Sequence, residues 1–152
     1  MKRLRRLWSS TGCQDRERLP GTPDSADTMQ TASPPVREYS GQCHCGKVRF
    51  RFLSVPITTG CRCNCSICTR KGTVMSSHYV EPIDLISLDG RESLAVYQFG
   101  DRLVNHYFCS VCGIYPFHEG IETPGRYRFN LGCVAGIDPC NLEISLIDGR
   151  SF

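Results

Sequence analysis

Seven cysteines crowd into three short blocks, and their spacing constrains this chain more than any other feature. Cys43 and Cys45 lie in C-H-C-G, Cys63, Cys65 and Cys68 in C-N-C-S-I-C, and Cys109 and Cys112 in F-C-S-V-C-G. Thiolates so close in sequence are soft donors that select Zn²⁺. Seven donors divide into four, which close a structural site, and three, which leave a coordination position for an exogenous ligand. Two metal centres with different tasks are therefore expected.

A secreted disulfide scaffold is the competing use of many cysteines. The total of 11 is odd, and the clustered pairs have knuckle rather than framework spacing. The first residues lack the apolar stretch of a secretory signal. Reduced, metal-held thiols imply a reducing compartment, cytosol or nucleus. Acidic Asp15 and Glu17 argue against a mitochondrial presequence. No apolar run is long enough to cross a membrane as a helix.

The chain has 152 residues, room for one domain with a modest core. Residues 1–37 differ from the rest. Lys2, Arg3, Arg5, Arg6, Arg16 and Arg18 against Asp15 and Glu17 give a local +4, which leaves −1 for the remainder of a chain at +3. A Pro- and Ser-containing stretch through Pro34-Pro35 follows, with few side chains to bury. This segment reads as a flexible basic arm, able to contact nucleic acid or an acidic partner. The near-neutral remainder is not a broadly basic nucleic-acid binder.

From residue 38 to 152 the pattern is mainly β. Lys47–Phe52 alternates polar and apolar residues, the period of a half-buried strand. Ser77–Val80, Leu85–Leu88, Leu94–Phe99, Leu103–Phe108, Tyr127–Leu131 and Leu142–Ile147 are further strand candidates, separated by turns at Asp89-Gly90 and Gly100-Asp101. Helix is limited to a turn after Cys68 or Pro82.

Side chains at i and i+2 of an extended segment share a face, so Cys43 and Cys45 can reach one ion. Gly113 relieves the tight turn that points Cys109 and Cys112 inward. Joining these two pairs would staple an early strand to a late one, although Cys43 and Cys45 could instead pair with Cys63 and Cys65. The Cys63–Cys65–Cys68 loop either stays open or is closed by a fourth donor, Cys61 or Cys133. His78 and His106 read as ordinary half-buried strand residues, and His118 as facing a cleft or solvent. The sequence singles out no general base; Asp101 and His106 are guesses that no spacing supports. Cys13 and Cys140 read as free thiols.

Taken together, C-H-C-G-K-V-R-F, C-N-C-S-I-C-T-R-K-G, the run from His106 through Cys109–Gly113 to Phe117, Asn130-Leu131-Gly132-Cys133 and the terminal Asp148–Phe152 resemble the glutathione-dependent formaldehyde-activating enzyme family, which includes centromere protein V. The resemblance implies a zinc-binding β-tent fold of small antiparallel sheets. It implies Cys43, Cys45, Cys109 and Cys112 as structural zinc ligands, and Cys63, Cys65 and Cys68 as ligands of a second, catalytic zinc. It further implies two Zn²⁺ per chain and a carbon–sulfur lyase-type reaction joining glutathione and formaldehyde to S-hydroxymethylglutathione. Asn64 stands where many members have His, with its side chain expected to point off the metal. Glutathione's carboxylates call for cations, for which Arg70, Lys71 and Arg102 are the candidates. The alternative is a non-catalytic zinc module that binds chromatin, microtubules or another protein through the arm.

Overall fold

The computed structural model describes residues 34–151, so the basic arm up to residue 33, with Cys13, lies outside the described residues. Three small sheets surround one aromatic core. β1 (Arg37–Gln42) and β2 (Arg49–Ser54) form an antiparallel hairpin whose connection carries C-H-C-G, and β2 also pairs with β5 (Leu85–Asp89). β1 thus begins at the last residue assigned to the arm. In β2 the alternation works as expected: Phe50 and Phe52 point inward and are buried, while Arg49 and Arg51 face water.

The largest sheet is antiparallel, in the order β6 (Leu94–Tyr97), β7 (Val104–Cys109), β8 (Phe117–Gly120) and β9 (Tyr127–Phe129). Its inner face supplies Phe117 and Phe129 to the core. Phe129 stacks against the neighbouring rings of Phe50, at a centroid distance of 4.4 Å, and Phe52, at 4.7 Å, with Phe117 meeting it edge-on at 5.6 Å. Such offset and edge-on pairs add to the burial energy of the rings. Leu131, Val48 and Val134 fill the remaining space.

The third sheet positions the triple-cysteine loop. β3 (Thr59–Cys63) pairs antiparallel with the short β4 (Met75–Ser76) and parallel with β10 (Glu143–Ile147). The sheets are otherwise antiparallel, as expected, but this one pair is parallel. Thr59 lies opposite Glu143 and Cys63 opposite Ile147, so the C-terminal strand delivers the last residues beside Cys63.

Other expectations shift. Ser77–Val80 is not a strand: Val80 makes an isolated bridge to Tyr127, with N···O distances of 2.8 and 3.1 Å. The Ser76 hydroxyl takes over ladder bonding there, accepting from Phe129 N at 3.1 Å and donating to His78 O at 2.8 Å. The helix after Cys68 instead contains it. α1 (Ser66–Lys71) starts after Cys65 and stops at left-handed Gly72, whose N–H bonds Cys68 O. Pro82–Asp84 forms a single 3₁₀ turn. β1, β3, β4 and β8 had no counterpart among the strand candidates. Among the described residues, no helix is long and apolar enough to cross a membrane.

Candidate metal centres and active site

The β1–β2 connection and the end of β7 bring Cys43, Cys45, Cys109 and Cys112 together, with all four sulfurs within 4.8 Å of one another. Cys43 Sγ lies 3.5 Å from Cys45 Sγ, which lies 3.6 Å from Cys109 Sγ. A disulfide needs about 2 Å. Sulfurs about 2.3 Å from a tetrahedral zinc would sit about 3.8 Å apart. The spacing therefore fits a metal and no disulfide. Gly113, at φ 74°, closes the knuckle by donating to Cys109 O at 2.8 Å. The Ile114 N–H and the Cys45 N–H, donated to the sulfur, draw the Cys112 thiol down to about 6. Each of these features prepares a thiolate. Of the alternatives left open above, the early pair meets the late one.

Cys63 ends β3, Cys65 precedes α1 and Cys68 lies within its first turn; their three sulfurs also fall within 4.8 Å of one another. The Cys65 N–H donates to Cys63 Sγ at 3.4 Å. Burial opposes ionisation of Cys65, but the N–H groups of Cys68 and Ile67 and the neighbouring thiols carry it downward. Burial and the facing Cys65 and Cys63 push Cys68 up to about 12. Three thiols so arranged cannot all ionise unless a cation joins them, which is the donor chemistry of a metal site.

Neither proposed extra donor joins this cluster. Cys61 is buried, donates to Ser76 O at 3.5 Å and packs with Met75, Tyr115 and Ile147. Cys133 lies on the side of the four-sulfur centre, where burial and then Cys43 and Cys112 push its thiol up to about 11. Among the described residues the second cluster therefore has three sulfurs. Cys140 is an exposed free thiol in the loop before β10.

The C-terminal segment covers the triple-cysteine loop. Asn64 Nδ2 donates to Asp148 Oδ1 at 2.8 Å, Arg150 N donates to Asn64 Oδ1 at 3.1 Å, and Arg150 Nε donates to Asn64 O at 3.1 Å. The Asn64 side chain thus points off the cluster and holds the tail. Between these anchors Gly149 passes so close that a Cβ there would strike Cys63 Sγ and approach Cys65 Cβ to 2.9 Å.

The cluster opens on a cavity of about 550 Å³ whose wall includes Cys63, Cys65, Phe99, Asp101, His106 and Arg150. The three cations expected at its mouth sit elsewhere. Arg70 folds back on its own helix, donating to Ser66 O at 2.6 Å. Arg102 occupies an exposed turn at φ 61° and is not part of the wall. Lys71 turns inward, because the last residue of α1 faces β7 rather than solvent. Its Nζ donates to His106 Nδ1 at 2.8 Å and lies 3.6 Å over the Tyr115 ring. The wall cation is Arg150, which the sequence offered only within the terminal Asp148–Phe152 motif.

Behind the cavity lies a polar network that sequence reasoning missed. The Tyr115 hydroxyl is 2.8 Å from His118 Nδ1 and 3.2 Å from His106 Nδ1, and His118 Nε2 is 3.5 Å from the Tyr79 hydroxyl. Burial draws Lys71 down to about 8, against the pull of Cys68, Cys65 and Cys63. Burial and then Lys71 draw His106 down to about 4. Burial, then Arg128, His106 and Lys71, draw His118 down to about 3. Both imidazoles are thus neutral at pH 7. His106 and His118 are direct cross-strand partners on β7 and β8. Recognition of β8 would have paired them. His78, by contrast, borders a separate groove of about 390 Å³ on the β2 side.

The sequence model for glutathione-dependent formaldehyde-activating enzymes matches residues 38–145, spanning both cysteine centres. The chain belongs to this family. A Halomonas elongata protein, provisionally named a glutathione-dependent formaldehyde-activating enzyme, is 37% identical over 102 residues. That match covers 55% of this chain and 65% of the relative. The crystal structure of a Rhodobacter sphaeroides protein superposes with a TM-score of 0.60 at 33% identity, covering 70% of this chain and 99% of that one. The family is an enzymatic one, and the described domain carries two cysteine clusters able to hold metal ions.

Proposed function

We propose that this protein is a zinc enzyme that joins glutathione and formaldehyde to S-hydroxymethylglutathione, a carbon–sulfur lyase-type reaction run in the bond-forming sense. The observation that carries this reading is the cluster of Cys63, Cys65 and Cys68, three sulfurs without a fourth among the described residues, facing a cavity of about 550 Å³. A zinc held there would lower the pKa of a thiol and keep it as thiolate at neutral pH. Cys43, Cys45, Cys109 and Cys112 would hold a second zinc whose coordination the protein fills, fastening the β1–β2 connection to the end of β7.

The remaining tasks fall to side chains around the cavity. Arg150 uses Nε to hold the Asn64 carbonyl and offers its other N–H groups to a carboxylate of the thiol substrate. Phe99 gives the wall an apolar surface that limits water around the reacting carbon. A reducing compartment, cytosol or nucleus, keeps the thiols available. The binding-module alternative drew on residues 1–37, most of which lie outside the described residues, and no described residue favours it.

The test is the rate of adduct formation by zinc-loaded protein after subtraction of the spontaneous reaction. Acceleration that disappears in Cys65→Ser is expected. A wild-type rate equal to background, with both metals bound, refutes the reading.

A further inference from the structure

The buried side of the cavity holds a histidine whose two nitrogens have been given different surroundings. Lys71 is a donor only, so the 2.8 Å contact makes His106 Nδ1 the acceptor. The Tyr115 hydroxyl does not compete for that lone pair, since its shorter bond, 2.8 Å, goes to His118 Nδ1. A neutral imidazole with an acceptor at Nδ1 carries its hydrogen on Nε2. Among the described residues no group bonds that Nε2–H. Among the described residues the one fully buried side-chain N or O atom without a partner is Arg128 Nε, so Nε2 of His106 is reached from open space. His106 is otherwise 6% exposed, and the open space it borders is the cavity it shares with Cys63 and Cys65. The ring is also fixed, stacked on Phe99 at a centroid distance of 5.8 Å and 26° between planes.

We infer that His106 is a catalytic residue of the proposed reaction: its Nε2–H binds the aldehyde oxygen and protonates it, and Lys71 is the positioning residue that sets this tautomer. The inference rests on the reaction proposed above and deepens it. As the thiolate electron pair forms the C–S bond, the carbonyl π pair moves to oxygen. The oxygen takes the Nε2 proton, and Nδ1 takes one from the Lys71 ammonium. The imidazole changes tautomer without becoming a cation. The proton lost when the substrate thiol ionises returns to Lys71, so the sum is thiol plus formaldehyde giving the hydroxymethyl thioether. The same path run backward removes the hydroxyl proton when the adduct breaks down.

Two measurements on the zinc-loaded full chain test this. The first is ¹⁵N NMR of the His106 ring, which does not depend on turnover. The Nε2–H tautomer is expected in wild type, with loss of that preference in Lys71→Met. An Nδ1–H tautomer in wild type overturns the proposal. The second is background-subtracted kinetics of His106→Phe, with His106→Gln as the variant to use if the first does not fold with two metals bound. A fall in kcat of about 100-fold, with KM for glutathione within about twofold of wild type, is expected for loss of a positioned acid. An unchanged kcat overturns the proposal while leaving the reaction standing, as does an equal rise in KM with kcat preserved. A wild type no faster than background overturns the parent reading and this one together.

Discussion

Replacing Gly149 with alanine should loosen the second metal centre and leave the first untouched. The added Cβ would strike Cys63 Sγ and lie 2.9 Å from Cys65 Cβ, so either the tail or the triple-cysteine loop must move. Forcing one methyl into a close-packed contact costs about 1–3 kcal/mol. The tail is held by the two Asn64 side-chain bonds, to Asp148 Oδ1 and from Arg150 N, both on the exposed surface. Such bonds are worth about 0.5–1.5 kcal/mol each, so the tail can yield only at a cost of that same order. If the strain falls on the cysteine loop, about 1–3 kcal/mol corresponds to roughly 5- to 150-fold weaker metal binding. Competition with a chromophoric chelator resolves this, because zinc should leave in two phases. The weaker phase should move by that factor in Gly149→Ala and the tighter phase should not move. Asn64→Ala should shift the same phase less, and the double variant should be less than additive, because both act by releasing one tail. Both phases within twofold of wild type would refute the idea that the tail is built on the cysteine loop.

Cys61→Ser should retain two metals per chain, because its thiol bonds Ser76 O and stays out of the cluster, whereas Cys63→Ser should retain one; inductively coupled plasma mass spectrometry distinguishes them. Phe129→Ala removes the ring stacked against both Phe50 and Phe52 and should cost about 3–5 kcal/mol in urea unfolding of the zinc-loaded protein; a loss below about 1 kcal/mol would contradict the described core. His118 takes up its proton near 3 in the folded chain, against 6.5 as an ordinary value. The unfolded chain therefore binds the extra proton first, and stability should fall as pH drops through that window, by up to about 1.4 kcal/mol per pH unit from this group. The ring should still be neutral by NMR at pH 5, and a midpoint near 6.5 would overturn its placement.

The cysteines were the most legible part of the chain because their spacing is local. The i, i+2 pair and the knuckle dictate how two sulfurs converge, and Gly113 and Gly72 mark the turns that permit it. Alternation in Lys47–Phe52 likewise gave β2 and its inward phenylalanines. Legibility ended where a side chain's surroundings depend on a distant strand. β3 pairs with β10 in parallel, a contact between Thr59–Cys63 and Glu143–Ile147 that no local pattern announces. That pairing brings Arg150 to the cavity, while Arg70 and Arg102, adjacent in sequence to plausible features, lie outside its wall. Lys71 follows the cysteine loop and read as a cation for a substrate carboxylate, yet the short α1 ends with it pointing at His106 on β7. His106 and His118 each read as unremarkable alone. Their shared surroundings exist only once β7 and β8 are paired.

The central claim is a pair of thiolate metal centres of which only the second accepts a substrate thiol. Metal content per chain, measured on wild type and on the Cys65→Ser, Cys68→Ser double variant and followed by glutathione titration of both, tests it most directly. The expected result is two zincs falling to one, with a folded variant that no longer binds glutathione. One zinc in both proteins, or two zincs in a wild type that ignores glutathione, would contradict it.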